Sequence, residues 1–246
     1  MDNGLWATWY DLDDQDRDTF LSWMHGSYLP YLQGLPGHAW VAHYRNVGTG
    51  PALATYHDIA GHAPGDQKIA TGSQYVVLVG AASSHSFFHP YVMDRIEPDG
   101  QAREMLAKRR GMRTVIFAEE ARVNGPAGHA RLPGSTPAPA IQFGTYSIQS
   151  PEAELDLGCW YAQQRFPVMA RMQGSVLTRK YLSSSGWAKH GIMYEFESLE
   201  ARTRQFEEPE ESKIVDPKEW TGRIVRTTLH TPGSPVVGER IWPPVE

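Results

Sequence analysis

The sequence predicts an α+β protein made of two tandem ferredoxin-like βαββαβ repeats, and three observations predict it. Residues 5–44 can be laid on residues 142–181 without a gap, so that Thr8 meets Thr145, Trp23 meets Trp160, Pro30 meets Pro167, Gly37 meets Gly174 and Tyr44 meets Tyr181. A rare Trp, a helix-breaking Pro and a turn-forming Gly keep their places, which suits a duplicated domain. Hydrophobic periodicity reads strand, helix, strand, strand, helix, strand in each half, the ferredoxin-like order. Residues 124–139 (NGPAGHARLPGSTPAP) are too rich in Pro and Gly to build a core and read as a linker. The expected units are therefore residues 1–123, the linker 124–139, and residues 140–246.

Residues 5–12 (LWATWYDL) are aromatic-rich and read as the first strand. Asp13 and Asp14 then supply an acidic helix start. Phe20, Trp23, Met24, Tyr28, Tyr31, Leu32 and Leu35 follow a helical period, with a kink or break expected at Pro30. Leu35-Pro36-Gly37 ends that element, and residues 38–44 (HAWVAHY) read as the second strand. Residues 48–73 lack periodicity and read as an insertion or long loop, which in a compact domain is functional or mobile. Residues 74–82 (QYVVLVGAA) are the clearest buried strand, residues 83–111 a helical region broken at Pro90 and Pro98, and residues 114–123 the fourth strand.

The second half repeats the order. Residues 140–149 read as a strand and 151–173 as a helix, with Pro151 suited to its start. Residues 175–182 and 191–197 read as strands, 198–208 as a short charged helix and 223–230 (RIVRTTLH) as the last strand. The proline-bearing tail from Thr231 reads as an extended surface arm.

A net charge of −5, from 23 basic against 28 acidic side chains, argues against nucleic acid as a partner. No apolar run approaches the ~18 residues of a membrane span and no signal-peptide pattern opens the chain, so no membrane partner and a cytoplasmic address are expected. Cys159 is the single cysteine, which excludes an internal disulfide and a thiolate-rich metal site.

Ser22-Trp23, Tyr28-Leu29-Pro30 and Leu35-Pro36-Gly37 are echoed by Cys159-Trp160, Arg165-Phe166-Pro167 and Met172-Gln173-Gly174. This pattern resembles the EthD-type members of the dimeric α+β barrel superfamily, in which the helix carries His-Trp, then His-x-Pro, then a Leu-Pro-Gly turn. Tyr194-Glu195-Phe196 followed by Leu199-Glu200-Ala201 is similar to that group's third strand and second helix. The resemblance implies two ferredoxin-like sheets paired into a barrel, with a pocket between sheet and helices in each half. Neither family histidine is present. Ser22 and Tyr28 replace them in one half, Cys159 and Arg165 in the other, so no role of those histidines carries over.

The first half concentrates aromatic residues that suit a pocket for a planar ligand or, equally, a plain aromatic core. Trp9, Trp23, Tyr31, Trp40 and Tyr44, with Phe88 as a cap, are the expected substrate contacts there. Tyr28, His25, His43 and His89 are the expected acid–base groups, histidine being the usual one near neutral pH. Arg165, on an apolar stripe at the position equivalent to Tyr28, either snorkels to solvent or binds a carboxylate or phenolate, with Tyr146, Tyr161 and Tyr181 around it. The histidines and the insertion favour the first half as the active one. His85 and His89 share i, i+4 spacing, and His57, Asp58 or His62 could add a ligand, but two histidines with a guessed third are weak grounds for a metal, and none is expected.

No P-loop, G-x-S-x-G, HExxH or dinucleotide fingerprint occurs. The expected function is thus a cofactor-independent lyase, isomerase, decarboxylase or cyclase acting on a small aromatic or polyketide-like substrate, with a homodimer left open. A non-catalytic EthD-like ligand-binding or accessory protein is the first alternative, and a haem- or metal-dependent enzyme the second.

Overall fold

The computed structural model describes residues 2–48, 51–88, 97–128, 132 and 134–245. Strand β1 (Gly4–Asp11) leads into α1 (Asp14–Trp23), a π-helical turn (Met24–Tyr28) and α2 (Leu29–Gly34). Then come β2 (His38–Asn46), α3 (Pro51–Ile59), the short β3 (Gly61–His62), β4 (Tyr75–Ala81), α4 (Gly100–Leu106) and β5 (Arg110–Asn124). The second half contributes β6 (Ala140–Ile148), α5 (Pro151–Trp160), a π turn (Tyr161–Arg165), α6 (Phe166–Met169), β7 (Ser175–Ser185) and β8 (His190–Phe196). It ends with α7 (Leu199–Arg202), another π turn (Thr203–Glu207), α8 (Glu208–Glu210), α9 (Trp220–Thr227), β9 (Thr228–His230) and β10 (Val236–Trp242).

Strands β10-β2-β4-β1-β5-β7-β8-β6 follow one another and close through β6–β10 into an antiparallel barrel. Within each half the order is that of a ferredoxin-like sheet, β2-β4-β1-β5 and β7-β8-β6-β10. The halves are joined along β5–β7 and β2–β10. Side chains alternate across each strand, so one set fills the barrel and the other meets helices. Trp9, Trp40, Tyr44, Phe117, Phe143, Tyr181 and Met193 fill the interior, drawn from both halves. Outside the first half, Tyr10, Val41, Val77 and Val79 pack on Phe20, Met24, Tyr28 and Leu32. Outside the second, Tyr146, Ile192, Tyr194 and Phe196 pack on Leu157, Trp160, Tyr161 and Phe206. One end of the interior is charged: Arg179 lies 2.8 Å from Asp2 and 3.1 Å from Glu195, and Trp40 Nε1 donates to Asp2 at 2.8 Å.

Pro30 does not break the first helix. A proline cannot donate to the carbonyl four residues back, and the helix absorbs the loss by widening. Leu29 N–H bonds to Met24 O, and at the matching place before Pro167, Phe166 N–H bonds to Tyr161 O. The two π turns thus occupy matching places in the two halves. So do Gly37 and Gly174, which take φ of 90° and 77° where the chain turns from helix into strand.

Two segments differ from expectation. Residues 223–230 are not the last barrel strand: most of the segment is helix α9, because Thr221, Ile224 and Val225 bury one helical face against the second-half core despite their β-branched side chains. Strand β10, in the tail expected to be a loose arm, closes the barrel instead. Residues 48–73 are not simply irregular either, since α3 forms there and β3 pairs in parallel with β9 of the other half. Of the expected helical region 83–111, a 3₁₀ turn (Ser84–Phe87) and α4 are formed, and its Pro90 break lies outside the described residues. Among the described residues, no helix is long and apolar enough to cross a membrane.

Candidate functional site

A cavity of about 50 Å³ lies between the outer face of β6 and β8 and the helices of the second half. Leu157, Ile192, Ile224 and Val225 supply apolar wall. Arg165 enters it from the last position of the π turn, where Pro167 has widened the helix. The guanidinium lies over the rings of Trp160 at 4.7 Å and Phe206 at 5.0 Å. It is 4% exposed, and its Nε and Nη1 have no hydrogen-bond partner. Among the described residues the carboxylate that faces it is Glu210, 4.0 Å away.

The other polar groups of the cavity are neutral. Tyr146 and Tyr161 share a hydrogen bond of 2.8 Å between their hydroxyls, and burial pushes both phenols up, so both stay protonated. His230 is held between Tyr56 Oη at 2.9 Å and Ser234 Oγ at 3.3 Å. Burial, with His57 and His62 nearby, depresses its pKa to about 3. Tyr56 belongs to the first half: α3 carries it across, anchored by the β3–β9 ladder and by Ala63 N–H donating to His230 O at 2.9 Å. The arm seats closely, for a Cβ on Gly61 would meet Thr228 O at 2.5 Å.

On the equivalent face of the first half, Tyr10, Phe20, Met24, Tyr28 and Leu32 pack together among the described residues. Tyr10, His43 and His25 form a hydrogen-bonded chain, with Tyr10 Oη 2.8 Å from His43 Nε2 and His43 Nδ1 2.9 Å from His25 Nε2. Burial, reinforced by His25, holds the His43 pKa well below the usual histidine range, and burial lowers that of His25. Trp23 stacks on Tyr28 at 5.0 Å, and Tyr31 lies 6.5 Å from Tyr28. Burial raises the Tyr28 phenol, so it is a neutral hydroxyl and not a proton-abstracting phenolate.

The structure therefore brings together His25, His43, Trp23, Tyr28 and Tyr31. It does not bring Trp9, Trp40 and Tyr44 to them, because these face the barrel interior on the other side of the sheet. Phe88 is exposed, Arg165 lies in the other half, and His89 lies outside the described residues. Tyr146 and Tyr161 do surround Arg165, whereas Tyr181 faces the interior. Sequence reasoning missed Tyr56, Phe206 and His230 as cavity residues. No local pattern marks them, since their proximity arises from contacts between distant segments. Among the described residues, no group of three or more His, Cys, Asp or Glu is placed to hold a metal ion.

No protein-family model matches the chain, and no curated protein matches it by sequence. Solved structures do match in fold. A provisionally named monooxygenase from Fusobacterium nucleatum subsp. nucleatum ATCC 25586 has a TM-score of 0.57 at 6% identity, over 96% of this chain and 90% of its own. An anthrone oxidase-like protein has a TM-score of 0.57 at 10% identity, over 96% and 89%. A provisionally named chlorite dismutase has a TM-score of 0.55 at 12% identity, over 98% and 96%.

These names overturn the expectation of a cofactor-independent lyase, isomerase, decarboxylase or cyclase. They denote redox chemistry, and of the readings raised by the sequence the haem- or metal-dependent enzyme stands nearest to them. The described residues fit haem poorly, however. The cavity is far below the ~300–1,000 Å³ of ordinary ligand pockets, and both nitrogens of its histidine are already engaged. At these identities the likeness is one of fold alone, that of a closed antiparallel sheet with outer helices.

Proposed function

We propose that this chain is an oxidative enzyme acting on a small planar aromatic molecule in the second-half cavity. We further propose that its scaffold is a duplicated ferredoxin-like unit, residues 1–123 and 140–246, joined by the linker 124–139. The matching π turns and the Gly37–Gly174 pair support the duplication. The cavity carries the functional reading, for it joins aromatic walls to a few convergent polar groups, and at about 50 Å³ it admits a ring only by opening. One fold neighbour is named an anthrone oxidase-like protein, and an anthrone is a planar aromatic. In this reading Trp160, Tyr194 and Phe206 hold the ring, the Tyr146–Tyr161 pair offers a neutral hydroxyl, and His230 accepts or returns a proton once Tyr56 releases it.

Oxygen uptake with a panel of phenols and anthrones, measured on protein as purified and after incubation with hemin, tests this reading. Gly144 lines the cavity, and a Cβ there would already lie 3.3 Å from Ile192 Cγ2, so Gly144→Phe grows into the substrate space. Turnover is expected to fall by roughly 10²-fold, the scale of a displaced substrate. Turnover that survives in a folded Gly144→Phe barrel would place the reaction elsewhere.

A further inference from the structure

We infer that Arg165 is the receptor for a single negative charge on the substrate, an oxyanion (carboxylate or phenolate) attached to a planar ring. This rests on the second-half cavity being the substrate site. A buried guanidinium normally has its donors filled, because an unpartnered charged donor forfeits its hydration without replacement. Arg165 is buried, lines the cavity and keeps Nε and Nη1 without a partner. The aromatic faces of Trp160 and Phe206 hold the cation by ring contact but accept no conventional hydrogen bond from it.

Among the described residues, the neighbouring charges compensate it only in part. Glu210 stands 4.0 Å from Arg165, beyond hydrogen-bond reach, and its other oxygen takes Lys213 Nζ at 2.7 Å. Two cations thus share one carboxylate. Among the described residues Arg202 pairs with Glu207 at 2.5 Å and His230 is neutral. One positive charge remains at the wall of an apolar cavity, where water does not screen it. A monoanion neutralises it, whereas a dianion overshoots and a neutral ring leaves it bare. The guanidinium's several donors suit a planar oxyanion.

The competing account is that Arg165 is a structural anchor, held by its rings and by Glu210. Ligand titration read by thermal shift and tryptophan fluorescence separates the two. Benzoate is compared with benzamide, and 4-nitrophenolate with 4-nitroanisole, on wild type, Arg165→Met and Gly144→Phe. A receptor binds each anion about 10- to 100-fold more tightly than its neutral partner, the scale of a hydrogen bond to a charged group. Arg165→Met erases that gap in a folded barrel, its apolar side chain occupying the same space beside Trp160 and Phe206. The pair showing the larger Arg165-dependent gap identifies the oxyanion. If anion and neutral ring bind alike in wild type and Arg165→Met, yet Gly144→Phe abolishes both, the receptor is refuted and the cavity reading stands. If binding ignores Gly144→Phe, the cavity reading fails and takes this inference with it.

Discussion

His43 illustrates what a fully buried imidazole requires. It is 0% exposed, and its two nitrogens are met by Tyr10 and His25. Tyr10→Phe removes one of those partners and leaves a ring nitrogen in a packed core that water does not reach. The expected cost is about 1–3 kcal/mol of stability, the usual penalty for orphaning a buried polar group, read as a lower urea midpoint with an unchanged slope. An unchanged midpoint would mean that water reaches His43. At this scale the sequence was partly legible. Arg165 stood out because a guanidinium on an apolar stripe is unusual, and His25 and Tyr28 stood out on the same helix. Trp9, Trp40 and Tyr44 could not be told from Trp23 and Tyr31, because both faces of these strands are buried. Alternation then says only that two sets differ, not which of them meets the helices.

At the scale of elements, seven of the eight barrel strands were legible as apolar runs, and the one mistaken was the last. Its neighbour α9 carries β-branched residues that read as strand, while Val236-Val237 sits among prolines that read as coil. The arm formed by α3 and β3 was invisible for another reason, since its partners lie in the opposite half. That arm closes the cavity, and a benzene ring needs a hole nearer ~150 Å³ than the one present. Ring-sized ligands therefore enter only when Tyr56 leaves His230. Gly61→Val places a branched side chain where even a Cβ would meet Thr228 O at 2.5 Å, and so should hold the arm off β9. Benzoate association is expected to quicken while its dissociation quickens more, giving weaker binding at equilibrium by stopped-flow fluorescence. Unaltered rates would show that the ligand passes by another route.

Across the whole molecule, barrel closure makes the halves interdependent. The interior core takes residues from both, and each half has a core of its own only on its outer face, beneath its helices. This burial places several imidazoles where charge is unwelcome, and stability should follow. His43 and His230 have folded-state pKa values depressed by burial, the latter to about 3, against an unfolded value of about 6.5. Above about pH 6.5 both states hold these rings neutral and their contribution is complete. As pH falls below that point the unfolded chain takes up protons that the folded chain refuses, so stability declines with each step toward acid. Two such histidines give a limiting slope of about 2.7 kcal/mol per pH unit, less where only part of the unfolded population is protonated. His25, His57 and His190, whose pKa values are also lowered chiefly by burial, act in the same direction. The carboxylate Asp2 adds to the loss only at lower pH, because its pKa is held below the ordinary aspartate value against its own burial by Arg179, Trp40 and Arg122. The melting temperature should therefore be level from pH 8 to 7 and fall steadily from pH 6.5 to 5, before the carboxylates titrate. A profile that stays flat to pH 5 would show that these imidazoles are hydrated in the folded barrel, and that the packing around His43 and His230 is looser than their contacts imply.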